Sequence, residues 1–433
     1  MAEIEEEQVI DVGSEEFIDS DEWKDNFLKQ GKWIRLFWML AFSFVYYISM
    51  TVLWLIVFLQ FLFVLITDKR SENISKVSIG FRNYMVQILD YLTYHTGDKH
   101  FPFSEFPNSE NEESYSLILI KFFRMDNFKN KIAVVTGGGT GMGRELVRQL
   151  AREGSHVAMC DVIEDNMLET FEIVSKESPS IKLTKHVCDV SNEEQVFKFK
   201  DEVLAEHDTK TINLLFNNAG IGGGGSFVLG DRDEWERCFA VCWYGVYYCS
   251  RAFMQHIVDS DEGHIINTSS VNGFWASLGG TPHTSYSAAK FAVKGFSEAL
   301  IDDFRINAPH VGVSVVMPGH IGTSIAENTG KILGGERTDE DFEKIKENMI
   351  KMGMPVHNFS VEQIKEQIKE NAEAFKNNAP TTSEQAAEII LSAVKNKQWR
   401  ILVGDDAKAI DEWVRNDPEN AYNITFHGEQ RGE

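Results

Sequence analysis

The sequence predicts an α/β chain: a doubly wound parallel sheet preceded by a helical, membrane-associated segment. Three observations predict it. From Lys131 onward, short apolar strands alternate with segments of helical period. A glycine-rich turn joins the first of these strands to the first of these helices. Upstream, Leu36–Ile66 runs for 31 residues with only Ser43, Ser49, Thr51 and Gln60 interrupting an uncharged apolar sequence.

The 433 residues hold two or three ordinary domains, with one α/β domain able to take most of the length. The formal net charge of -24 argues against nucleic acid as a partner, because that needs a clustered basic surface. The five cysteines (Cys160, Cys188, Cys238, Cys242, Cys249) are odd in number and show no C-x-x-C pair. That spacing fits neither a disulfide scaffold nor a cysteine zinc site, and it fits a reducing compartment. No histidine or carboxylate spacing suggests a metal.

Residues 1–30 read as an acidic disordered tail with no basic start of the kind a signal peptide carries. Residues 31–96 read as a membrane segment plus an amphipathic helix. The apolar run corresponds to roughly 46 Å of helix at about 1.5 Å per residue. A bilayer core needs about 20 helical residues, so the run is long for one span and short for two. It is either one tilted helix or a hairpin that does not cross fully. Lys24, Lys29, Lys32 and Arg35 before it balance Lys69, Arg70, Lys76 and Arg82 after it. The positive-inside rule therefore chooses no side, and two basic flanks lean toward the hairpin. Phe81, Tyr84, Met85, Ile88, Leu89 and Leu92 then recur at helical spacing. That helix lies in the interface or packs on the next domain. Residues 97–125 read as a linker. Residues 20–110 resemble an uncharacterised bacterial membrane-domain family with a Trp-Ile-Arg start, a run ending near "QFLFVLIT" and a Phe-Pro-Phe tail. That resemblance implies no activity.

In the second half "IAVVT", "HVAMC", "TKHVC", "INLLF", "HIINT" and "VSVVM" read as strands. Strands alternating with helices imply a parallel sheet covered on both faces. "TGGGTGMG" (Thr136–Gly143) follows the first strand and opens a helix at Arg144. Glycine lets backbone approach a pyrophosphate, and a helix N-terminus offers it free N–H groups. Asp161 ends the second strand, 24 residues after Gly137. A carboxylate there accepts from ribose hydroxyls and repels a 2′-phosphate, which favours NAD over NADP. Arg144 is the one nearby residue that argues the other way. In "TSYSAAK", Tyr286 and Lys290 lie four apart and share a helix face. An ammonium beside a phenol lowers the phenol's pKa and makes it an acid/base near neutral pH. Ser270, at a strand end in "INTSSVNG", stands ready to hold a substrate oxygen.

Taken in order, "TGGGTGMG", Asp161, "CDV" at Cys188–Val190, "NNAG" at Asn217–Gly220, the Ser270/Tyr286/Lys290 set and "PGHIGT" at Pro318–Thr323 resemble the short-chain dehydrogenase/reductase family. The resemblance covers residues 126–335 and implies a Rossmann-type domain continuing to 415. It implies that Tyr286 exchanges a proton with substrate, that Lys290 binds the nicotinamide ribose and tunes Tyr286, and that Ser270 positions the reacting oxygen. It places Asp189 at the adenine, Asn217 and the Ala219–Gly220 turn at the sheet edge, and Pro318, Gly319 and Thr323 at the carboxamide. Thr136, Gly137, Gly141, Met142, Gly143, Asp161, Val190, Asn218, Ala219, Gly220 and Ile321 complete the implied cofactor set, which Tyr286 and Lys290 also touch. One position departs from the pattern. Where the family carries an asparagine in the long helix before the serine, this chain has Cys242, a poor hydrogen-bond partner that puts the proton relay in doubt.

His264, His283, His310 and His320 flank these motifs; His283 and His320 either meet substrate or are ordinary loop residues. Residues 325–380 are rich in helix formers and read as a substrate lid or as a solvent- or partner-facing helix pair. Residues 126–415 are then the NAD-binding domain and 416–433 a C-terminal tail. These expectations describe a membrane-tethered NAD(H)-dependent oxidoreductase acting on an apolar secondary alcohol or ketone. Its catalytic domain lies in the cytoplasm, its other partners are membrane lipid and a second copy in a homodimer or homotetramer. The rival reading is a membrane-anchored dinucleotide-binding scaffold or sensor with impaired catalysis.

Overall fold

The computed structural model describes residues 30–67, 71–93, 101, 103–104, 125, 127–223, 225–276, 282–334, 337–351 and 353–423. The acidic start and most of the 97–125 segment lie outside the described residues. The chain divides into two compact units, Met1–Phe122 and Phe123–Glu433.

In the first unit, α1 (Gln30–Thr67) is one unbroken helix of 38 residues. That is about 57 Å at about 1.5 Å per residue. The leaning toward a hairpin is corrected here: Leu36–Ile66 contains neither glycine nor proline, so nothing in it ends a helix. Lys32–Thr67 is long and apolar enough to cross a membrane, with a mean hydropathy of 2.5 in its apolar window. Many of its large side chains face outward; Trp54 is 69% and Ile66 81% exposed. Helix α2 (Glu72–Leu92) folds back along the start of α1. Phe42 of α1 and Tyr84, Ile88 and Tyr91 of α2 bury one another. Arg35 donates to the Tyr91 carbonyl at 3.2 Å. Phe101 and Phe103, assigned to the linker, pack on Tyr84 and Trp38, with ring centroids 5.9 and 4.9 Å apart. The apolar face of α2 thus meets α1.

The second unit is the predicted parallel sheet. Its strands are β1 (Ile132–Thr136), β2 (His156–Asp161), β3 (Leu183–Val187), β4 (Leu214–Asn217), β5 (Gly263–Thr268), β6 (Val311–Pro318) and β9 (Arg400–Val403). They lie side by side in the order β3-β2-β1-β4-β5-β6-β9, all parallel. The short strands β7 (Ile321–Gly322) and β8 (Thr381–Thr382) pair with each other. Helices α3 (Gly141–Arg152), α4 (Glu164–Glu177), α5 (Glu193–Glu206), α6 (Arg232–Phe239), α7 (Gly245–Val258), α8 (Thr284–Asn307), α12 (Ser383–Lys395) and α13 (Asp405–Asn416) surround it. Between β7 and β8 run α9 (Ile325–Gly334), α10 (Asp339–Lys351) and α11 (Val361–Asn377). Two apolar cores follow, one on each sheet face. Leu146, Leu150, Ile390 and Val394 belong to one; Val196, Phe199, Phe253 and Phe304 belong to the other. The strands are buried on both sides, which is why they read as continuous apolar runs. The strand order reverses between β1 and β4, and ligands of such sheets bind at the carboxyl ends beside that point.

In the described part of the C-terminal tail, Ala421 is buried and its carbonyl accepts a 3.0 Å bond from the indole of the fully buried Trp275. His264 lies at the opposite end of β5 from the site. Its Nε2 bonds Ser314 Oγ at 2.8 Å, while Ser314 donates to the Gln398 carbonyl at 2.6 Å. Nε2 must therefore carry the proton, and the buried Nδ1 has no hydrogen-bond partner. Burial, then the charge of Lys397, lowers the His264 pKa to about 3. The folded state rejects a proton that the unfolded chain takes up below about pH 6.5. Stability should therefore fall as pH drops from about 6.5 toward 3, this group adding about 1.4 kcal/mol per pH unit. Urea titrations of the wild type and His264→Gln at pH 7 and pH 5 check this. An unchanged pH slope in the variant contradicts it.

Candidate active site

The site grows from the ends of β1, β2, β4, β5 and β6. At the end of β1 the glycine turn bends back on itself. Gly137 has φ +67, and a Cβ on Gly143 would sit 1.9 Å from the Gly137 carbonyl oxygen. Only glycine lets the first turn of α3 close so tightly, and its N-terminus then opens into the cleft. Thr136 lies beneath rather than in the cleft: its hydroxyl accepts from the Asn218 and Ala219 amides, both at 3.0 Å. The Asn218 side chain donates to the Thr136 carbonyl at 3.0 Å. Asn217 is likewise a brace, donating to Ser250 at 3.0 Å and Asn267 at 2.8 Å.

One cleft collects the remaining predicted cofactor residues: Gly137, Gly141, Met142, Gly143, Asp161, Asp189, Val190, Asn218, Ala219, Gly220, Pro318, Gly319, Ile321 and Thr323. Ser270, Tyr286 and Lys290 line the same cleft. Asp161 accepts from the Gly139 amide and the Ile163 amide, both at 3.0 Å. Burial raises its pKa, and those two amides oppose the rise. Arg144 does not reach across to it. Its guanidinium is spent on the Gly139 carbonyl, Thr170 and Glu169. Burial pushes the Asp189 carboxyl up, yet Arg237 and Ser191 together hold it below its ordinary value. The Arg237–Asp189 contact is 2.7 Å.

Tyr286 and Lys290 share a face of α8, with the ammonium 5.4 Å from the Tyr286 ring centroid. Lys290 is buried and donates to the Thr268 carbonyl at 2.8 Å. Ser270 caps the short turn Val271–Gly273, accepting from the Asn272 amide, and lines the same cleft as Tyr286. The expected lowering of the phenol pKa is not present in the protein alone. Burial raises it, the nearby Cys242 adds to the rise, and Ser270 opposes it. Lys290 sits beside the ring while its ammonium is held by a carbonyl, so it does little for the phenol oxygen.

Cys242 does not enter the cleft. It is fully buried behind it, and its thiol donates to the Ile221 carbonyl at 3.2 Å. The helical stretch Arg232–Val258 is interrupted here by a π-turn, Ala240–Tyr244. Such turns occur often at functional sites and leave a backbone carbonyl without its usual partner. The hydrogen bond with Cys238, then Lys290, pulls the Cys242 pKa below the ordinary thiol value against the effect of burial. Of the histidines, His310 bonds the Val258 carbonyl, away from the site. His320 reaches the lid helix α11, bonding the Phe375 carbonyl at 2.7 Å. Sequence reasoning missed Arg237, Asn328, Ile332 and Phe375 as cleft residues. Arg237 sits inside α6, away from any strand end, and the lid residues follow no strand-end rule either.

A glycine cradle at a helix N-terminus, an acceptor at the end of β2 and a Ser-Tyr-Lys set in one cleft define a nucleotide-dependent oxidoreductase. The comparisons with known proteins agree. A family model described as short chain dehydrogenase matches residues 131–332, and a domain of unknown function matches 29–104. A Mycobacterium tuberculosis protein named as an oxidoreductase, SadH, is 31% identical over 291 residues, covering 67% of this chain and 92% of its own length. Mouse epidermal retinol dehydrogenase 2 is 30% identical over 202 residues, 46% of this chain and 63% of that protein. A Burkholderia phymatum short chain dehydrogenase/reductase solved with NAD superposes with TM-score 0.56 at 26% identity, covering 68% of this chain and 95% of that one. This chain belongs to the short-chain dehydrogenase/reductase family of oxidoreductases.

Proposed function

We propose that the chain is a membrane-tethered, NAD(H)-dependent dehydrogenase or reductase of apolar secondary alcohols and ketones. The observation that carries the reading is the cleft itself: Ser270, Tyr286 and Lys290 share it with the glycine turn and Asp161. The glycine turn supports a dinucleotide there: a Cβ on Gly137 would lie 2.8 Å from Ala219 Cα and one on Gly143 1.9 Å from the Gly137 carbonyl oxygen, so only bare backbone can make this tight turn against which a pyrophosphate would lie. Asp161 would hold the ribose hydroxyls, and Pro318, Gly319 and Thr323 the carboxamide. A bound nicotinamide supplies the hydride acceptor or donor. Tyr286 takes the hydroxyl proton in alcohol oxidation and returns it in ketone reduction. Ser270 holds the reacting oxygen against Tyr286, and Lys290 holds the nicotinamide ribose.

Ile221, Ile325, Ile332 and Phe375 line the cleft, which supports an apolar substrate. The relative named as a retinol dehydrogenase supports the same class. Helix α1 supports a tether that meets such molecules where they partition. The NAD(H) pool puts the catalytic unit in the cytoplasm. A stacked aromatic surface on α6–α7, from Trp235–Phe239 to Tyr244–Tyr248, supports a homodimer or homotetramer through the long helices. The impaired-scaffold reading draws on Cys242 alone. One experiment tests these claims. The full chain is floated with lipid vesicles, weighed in detergent and assayed with NAD and NADP over a panel of alcohols and ketones. Co-flotation, a dimer or tetramer mass and NAD-linked turnover of apolar secondary alcohols are expected. NADH binding without turnover on any member returns the scaffold, and a chain left in the aqueous fraction removes the tether.

A further inference from the structure

Helix α9 touches both lips of the cofactor cleft through neighbouring residues. Asn328 donates from Nδ2 to Thr140 Oγ1 at 3.0 Å, on the glycine-turn lip. Thr329 Oγ1 accepts from the Gly222 amide at 2.8 Å, on the lip that follows β4. Thr323, just ahead of the helix, packs so closely on Gly141 that a Cβ there would lie 3.0 Å from its own Cβ. Ile332, one turn on, lines the cleft, and Leu333 beside it packs on the core behind. The helix is therefore docked on the cofactor loops themselves.

Thr140 matters because of where it sits. It is the N-cap residue of α3, yet its side chain makes no capping bond to the helix. Its hydroxyl is turned to Asn328 instead. Both Thr140 and Asn328 line the cleft beside the turn that faces a diphosphate. A carboxamide has two N–H donors. One goes to Thr140, which leaves the other for a phosphate oxygen.

We propose that Asn328 is a further dinucleotide-holding residue: its carboxamide, docked on Thr140, reaches the diphosphate cradle and makes cofactor release wait on the opening of α9. The inference rests on the dinucleotide reading of the cleft. It differs from a merely structural helix contact in one respect, which charge reveals. An aspartate at 328 can accept from the Thr140 hydroxyl and keep the helix docked, but it opposes a diphosphate. An alanine loses the bond and adds no charge.

The test uses the full chain in detergent, with NADH fluorescence read at equilibrium and by stopped-flow displacement. Asn328→Ala should raise the NADH dissociation constant about tenfold, mainly through faster release. Asn328→Asp should bind more weakly still, and added salt should recover part of its loss. Thr329→Val should speed release with no salt-dependent component. Asn328→Asp binding NADH as tightly as Asn328→Ala or tighter, or both variants within twofold of the wild type, overturns the proposal. Wild-type protein that gives no NADH signal overturns the dinucleotide reading and this proposal with it.

Discussion

Tyr286→Phe should lower kcat by about 10²–10⁴-fold, the usual worth of a positioned acid/base, while NADH affinity changes little. The phenol is one of the few cleft groups able to carry a proton to a substrate oxygen, and Ser270 lines the same cleft. Phenylalanine fills the same space on α8, so the cofactor's walls stay in place. The pH profile separates a chemical role from a structural one. Burial, with Cys242 nearby, raises the phenol pKa above its ordinary value. Alcohol oxidation needs the deprotonated phenol, so its rate should climb with pH through the alkaline range. Ketone reduction needs the protonated phenol and should hold level through neutral pH before it falls. A variant within tenfold of wild-type turnover, or identical pH profiles in the two directions, contradicts the assignment.

NAD should be preferred over NADP by about 10²-fold in kcat/KM, and Asp161→Asn should erase at least about tenfold of that. The 2′-phosphate would meet a carboxylate fixed by the Gly139 and Ile163 amides. Two unit charges about 4 Å apart repel by about 4 kcal/mol at an effective dielectric of 20, before the open cleft mouth screens them. Arg144 offers no relief, because Thr170, Glu169 and the Gly139 carbonyl hold its guanidinium. Parallel rate measurements with both cofactors decide the point. Equal use of the two by the wild type sinks it.

Much of this site was legible because its chemistry is tied to strand ends. Asp161 closes an apolar strand, so a reader of the sequence knows that its side chain sits at the sheet's carboxyl edge. Tyr286 and Lys290 lie one helical turn apart, so their shared face follows from the helix alone. The order of strands was not legible, and neither were the partners through which Asn217 steadies the sheet edge, Ser250 and Asn267, which lie 33 and 50 residues away. Nor could periodicity show that Thr136 braces a turn rather than facing the cofactor. The state of Tyr286 was misjudged for a similar reason. Sequence places an ammonium near the phenol, but only packing shows that the Thr268 carbonyl holds that ammonium and that burial dominates.

In the first unit, too, local and global information part company. Apolar composition and the absence of glycine and proline mark Leu36–Ile66 as helical, because helix formation there is a matter between near neighbours, while the charge balance of its flanks leaned toward a hairpin that the structure does not form. The partner of α2 is decided by which apolar faces meet, and that depends on residues such as Phe42 and Tyr91, 49 positions apart in the chain. The same division holds across the protein. Sequence alone determined the sheet, the glycine turn and the Ser-Tyr-Lys set, since each is written in contiguous residues or fixed spacings. Tertiary structure alone decided that Asn328 reaches Thr140 across 188 residues, that Cys242 lies behind the cleft and that Arg144 is engaged elsewhere. Hydrogen bonds and burial act over a few ångströms of space, and no spacing along the chain encodes which distant residues will be brought within them.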